Sequence, residues 1–182
     1  MKWAQLGCVL ALGLTAACGS SDDEGGKGAP SDGCTGAALE ADLTRLPVSL
    51  PGSPEPITEL PAEGYVVSTT YLRMLPGDAA RNRFGGLVGA IQSDILARPG
   101  IVALELGVAT GCNTARTKSI WKSNEAMYEF VTGEAHGAAV SAVGELSRGG
   151  SSVTSWTAKT LDETTWEEAA VRLGRDDGRP EY

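Results

Sequence analysis

The chain has 182 residues, 42% of them hydrophobic and 5% aromatic, with a formal charge of −8. That is enough for one packed domain with appendages. The acidic balance, with no run of Lys and Arg anywhere, argues against nucleic acid and anionic lipid surfaces as partners, because both are held by clustered basic residues.

Residues 1–17 read as a processing segment. Lys2 supplies the positive start and "WAQLGCVLALGLTAA" follows as one apolar run. Roughly 15 such residues are too few to cross a ~30 Å hydrocarbon layer, but they suit the core of a signal peptide. Ala16 and Ala17 before Cys18 resemble the lipobox of bacterial lipoproteins, with Thr15 where Leu is usual. The resemblance implies that Cys18 is acylated, becomes the mature N-terminus and attaches the chain to a membrane. Gly19 in place of Asp points to the outer membrane of a bacterial cell envelope. Plain secretion, with Cys18 trimmed away, is the alternative. Residues 18–33, "CGSSDDEGGKGAPSDG", offer nothing apolar to bury and read as a disordered tether.

Of the four cysteines, Cys8 leaves with the signal and Cys18 carries lipid. Cys34 and Cys112 remain as an even pair in an oxidising compartment, which predicts a disulfide worth roughly 3–5 kcal/mol by closing a long loop. Two cysteines and one distant histidine lack any zinc spacing.

Residues 34–64 form a lead-in. Leu39, Leu43 and Leu46 recur at helical spacing and predict a short helix over 35–46, followed by a proline-rich extended stretch. From Tyr65 the punctuation becomes regular. "YVVSTTYLRML" reads as a strand. Asp78 follows as a helix cap, with Phe84, Leu87, Val88, Ile91 and Ile95 on one face and Pro99-Gly100 as the stop. Val102, Leu104, Leu106 and Val108 alternate as the inner face of a second strand; "TGCN" turns the chain, and "TARTKSIW" is the third. Ser123 caps a helix carrying Met127, Phe130 and Val131, Gly133 bends it, and "VTSWTAKTL" makes the fourth strand. Thr164 and Glu167 have capping-box spacing before Trp166, Ala170 and Leu173, and Gly174 ends the last helix. Residues 175–182 are a tail.

The order over 65–174 is β-α-β-β-α-β with an added C-terminal helix. That is an α+β, ferredoxin-like arrangement. Helices cover one face of such a sheet. The other face is left for a second copy, which predicts a homodimer.

The strand ending "SIW", then "SNEAM", Phe130 and "AHGAAV", resemble the dimeric α+β barrel superfamily, and more narrowly its antibiotic-biosynthesis-monooxygenase-like and spheroidene-monooxygenase-like members. The resemblance implies sheet-to-sheet homodimers and a pocket between sheet and helices for a small apolar molecule. It implies Trp121 and His136 as catalytic candidates, and His136 as axial ligand wherever haem is the cofactor. The residues themselves add Tyr71, Arg73 and Phe130 to Trp121 and His136 as the ligand-binding set. His136, the only histidine, stands as a metal ligand, as an acid or base, or as a packed helix residue bonded to a carbonyl; a triad would need a partner that the chain lacks.

Overall fold

The computed structural model describes residues 32–50 and 57–175. The expected signal segment, Cys18, most of the expected tether and nearly all of the expected tail lie outside them. Among the described residues, no helix is long and apolar enough to cross a membrane.

The chain runs β1 (Thr44–Val48), β2 (Tyr65–Arg73), α1 (Asp78–Leu96), β3 (Ile101–Ala109), β4 (Thr114–Trp121), α2 (Asn124–Val131), α3 (Glu134–Leu146), β5 (Ser152–Ala158), a 3-10 turn (Leu161–Thr164) and α4 (Trp166–Gly174). The strands form one sheet in the order β1-β3-β4-β2-β5, and every pairing is antiparallel. Four of them, β3-β4-β2-β5, reproduce the ferredoxin-like strand order. β1 extends the sheet beyond β3, with Leu46 opposite Leu106.

β1 replaces the helix expected over 35–46. Pro47 disfavours helical backbone at Leu46 and cannot donate within a helix. An edge strand accepts it, because its nitrogen needs no ladder partner there. Residues 34–43 make turns instead. Three smaller differences follow from local chemistry. Asp78 is the first helical residue, not the cap; Gly77 holds the cap position at φ 105°. The capping box is Thr160 with Glu163, on the 3-10 turn, and Thr165 caps α4 by accepting from Glu168 N–H. Gly133 does more than bend one helix: it separates α2 from α3. Ser123 caps α2 as its position foretold, accepting from Ala126 N–H.

The two sheet faces carry separate cores. On the helical face, Val66, Leu104 and Trp121 pack with Ile95 of α1, Met127 and Phe130 of α2, and Val48 and Leu50. On the opposite face Val67, Val102, Ile120, Trp156 and Ala158 pack with Ala169 of α4. A bulge between Ile101 and Ala103 puts Val102 in this second core, away from Leu104.

The opposite face is therefore covered by the chain itself. α4 lays Trp166, Ala169, Ala170 and Leu173 on it, at the i, i+3, i+4, i+7 spacing of one helical stripe. The turns of residues 34–42 cover the remainder. Packing is close: a β-carbon on Gly174 would lie 2.7 Å from Ala37 Cβ, and one on Gly107 would lie 3.0 Å from Leu43 Cδ1. The surface that the sequence offered to a second copy is thus taken. Sheet-to-sheet pairing would first require these segments to leave.

Candidate functional site

Three of the sequence-selected residues meet on the helical face. Trp121, at the end of β4, is fully buried and donates from Nε1 to Ser119 Oγ at 2.9 Å. Its ring stacks on Phe130 with centroids 5.3 Å apart, and His136 meets Phe130 edge-on at 5.0 Å. His136 Nδ1–H donates to Val131 O at 3.0 Å. That carbonyl belongs to the last turn of α2, where intrahelical donors run out, so the imidazole ties the end of α2 to the start of α3. Burial lowers its pKa from the ordinary 6.5, partly opposed by the bond to Val131.

A haem does not fit between this imidazole and the sheet. Phe130 and Trp121 fill that space with aromatic carbon. No group of three or more His, Cys, Asp or Glu able to hold a metal ion occurs among the described residues.

Tyr71 and Arg73 lie elsewhere. They point from β2 to the opposite face, alternating with residues of the helical face. Arg73 donates from NH1 to Gly149 O at 3.1 Å and from NH2 to Asp32 Oδ2 at 2.8 Å. Asp32 also accepts from Arg148 and from Cys34 N–H; these bonds, Arg148 first, hold its carboxyl far below the usual carboxylate range. Tyr71 lies beneath the Arg116 guanidinium, 4.4 Å from ring centroid to Cζ. Burial, then the nearby Glu40 charge, push its phenol up to about 12. The five ligand-binding candidates therefore divide between two faces and form no single pocket.

Arg116 is the residue whose importance the sequence concealed. It is 1% exposed. Its Nε donates to Glu40 Oε2 at 2.9 Å, and its terminal nitrogens donate to Thr35 O (3.1 Å), Gly36 O (3.1 Å) and Ala38 O (2.6 Å). Thr114 Oγ1 donates to Glu40 Oε1 at 2.6 Å. A buried guanidinium is tolerable only when its donors are satisfied. Here one carboxylate and three backbone carbonyls of residues 34–42 supply the partners. Beside it, Lys118 Nζ donates to Thr164 O (2.7 Å) and pairs with Glu105 (2.8 Å), and Trp166 Nε1 donates to Glu105 Oε2 (2.7 Å). This second network fixes α4.

The Cys34–Cys112 disulfide is present, with Cα atoms 5.8 Å apart. It lies in an open depression of about 330 Å³ whose walls include Met74, Asn113 and Arg148. Asn113 takes a left-handed conformation (φ 48°) in the turn and donates to Met74 O and Leu75 O.

On the helical face the packing thins toward the start of α1. Ser68, Thr70, Leu72, Leu106, Val108 and Thr117 point toward the helical layer, yet all are only half-buried. So are Phe84, Leu87, Val88 and Ile91, which share the α1 stripe of buried Ile95. These side chains keep part of their surface open to solvent, whereas Ala115 between Leu72 and Val108 is buried. Leu72, Leu106 and Val108 lie on this face beside three hydroxyls, Ser68 and the pair Thr70 Oγ1 and Thr117 Oγ1, 2.7 Å apart.

No protein-family model matches the chain, and no curated protein matches it. Among solved structures it is similar to Rv0793 from Mycobacterium tuberculosis (21% identity, TM-score 0.48), covering 56% of this chain and 99% of that one. It is also similar to SnoaB, a cofactor-independent oxygenase from Streptomyces nogalater (16% identity, TM-score 0.44, 54% of this chain and 96% of that one). A third is a conserved protein from Methanosarcina mazei (9% identity, TM-score 0.48, 54% and 96%). The ferredoxin-like assignment itself rests on the strand order.

Proposed function

We propose that this chain is a lipid-anchored envelope domain, non-catalytic, that holds a small apolar molecule between the upper half of the sheet and α1. The observation that carries the reading is the partial exposure of apolar side chains on the sheet and on the facing stripe of α1, which we read as a slot. Apolar side chains on both layers remain reachable by water, although a helix stands over the sheet. Such a space suits an apolar guest with one hydrogen-bonding group, which the Thr70–Thr117 pair would orient. Trp121 and Phe130 close its lower end. His136 meets Phe130 edge-on and bonds Val131 O, which supports a stabilising role over proton transfer to a guest. The acylated Cys18 and the tether supply the address in this reading, at the outer membrane of a bacterial cell.

Native mass spectrometry of the full chain, isolated from its own host, tests the proposal. The expected result is a co-purifying mass lost on denaturation, and absent from Val108→Trp, which fills the slot. Recovery of the same guest with Val108→Trp would overturn the assignment of the slot. Acylation is checked on the same sample: an unmodified Cys18 in the mature chain would contradict the anchor.

A further inference from the structure

Residues 34–42 are held unlike the rest of the fold. Neither apolar core contains any of them. They form no helix or strand. Beside close contacts such as Ala37 with Gly174, what binds them is largely polar or covalent: Glu40 on Arg116 and Thr114, three carbonyls on Arg116, Asp42 on Thr110 and Gly111, and the Cys34–Cys112 bond. The two apolar cores are built from residues outside this segment.

The covalent part is also within reach. Cys34 is buried, but Cys112 is half-buried, and both line the open depression together with Arg148. Arg148 donates to Cys112 O at 2.5 Å and is ion-paired with Asp32, whose carboxylate also accepts from Cys34 N–H.

We infer that the Cys34–Cys112 disulfide is a reducible latch: exchange with a dithiol donor releases residues 34–42 from the sheet and vacates a carboxylate site on Arg116 and Thr114 that Glu40 fills in the closed chain. A donor thiolate attacks Cys112 Sγ, the S–S bond breaks, and Cys34 leaves as thiolate and takes a proton. The donor's second thiol, deprotonated, then attacks the donor sulfur of the mixed disulfide, and Cys112 leaves and is protonated. Two electrons and two protons pass to the cysteines, and the donor becomes a disulfide. The uncovered face presents Arg116 above Tyr71, with Thr114 beside it. A carboxylate, the group Glu40 supplies in the closed state, is the ligand whose charge and acceptors match.

The test is hydrogen exchange by mass spectrometry on the full chain in detergent, oxidised and after reduction with dithiothreitol. Cys34→Ser with Cys112→Ser serves as a reagent-free mimic. Peptides spanning 34–43 are expected to lose protection by about 100-fold or more, while β2, β3 and β4 change by less than ~3-fold. Loss of protection throughout the sheet, or none in 34–43, would overturn the latch. Succinate is then added while the Arg116 Nε–H resonance is followed by NMR. A shift in the reduced chain and none in the oxidised chain is expected; no shift in the reduced chain overturns the carboxylate assignment.

Discussion

The two faces of one sheet are closed by different physics. The helical face is sealed at its lower end by apolar packing around Trp121 and left thin at its upper end. The opposite face is sealed throughout, but its centre is held by buried charge: Arg116 with Glu40, and Lys118 with Glu105. Apolar packing is non-directional and tolerates a gap that a guest can fill. A buried ion pair tolerates none, because each unmet donor carries a desolvation cost. The difference is the reason for proposing the guest site on the helical face and the latch on the other.

The largest expected effect breaks the charged face. Arg116→Ala strands the Glu40 carboxylate and should cost about 3–5 kcal/mol in urea unfolding. Replacing both partners together, Arg116→Met with Glu40→Met, should restore most of that loss; a double variant as unstable as the single one would show that the pair is not what closes this face. On the helical face, Phe130→Ala removes a buried ring and should cost about 3 kcal/mol, without altering the exchange protection of residues 34–42. Coupling between the two would contradict their separate cores.

A smaller effect concerns His136. Its folded pKa lies below the ordinary 6.5 because burial disfavours the cation, so the unfolded chain takes up the proton first. The stabilisation is complete above about pH 6.5 and is lost as pH falls through the folded value. Urea midpoints measured from pH 7.5 to 5 should therefore fall more steeply for the wild type than for His136→Gln. Equal slopes would remove the structural role assigned to the imidazole.

Much of the fold was legible because its signals are local. Alternation over 101–109, the Ser123 cap and the Trp166, Ala170, Leu173 stripe each depend on a few consecutive residues, and each marks an element that is present. The disulfide followed from cysteine accounting. What escaped is non-local. Nothing near Glu40 announces Arg116, 76 positions away, and the leucines around β1 imitate a helix unless Pro47 is weighed against them. Val102 misled because one bulge reverses the parity of a strand. Among the site residues, Trp121, Phe130 and His136 lie together on the helical face, whereas Tyr71 and Arg73 lie on the other, since strand parity decides the face and residue chemistry does not.

The most direct test of the guest site is chemical-shift mapping of the isotope-labelled full chain with naphthalene as an apolar probe. The account expects saturable shifts at Thr70, Leu106, Val108, Thr117 and Phe84, with the amides around Tyr71 and Arg116 unmoved. Shifts centred on the opposite face, or none at any of the slot residues, would contradict it.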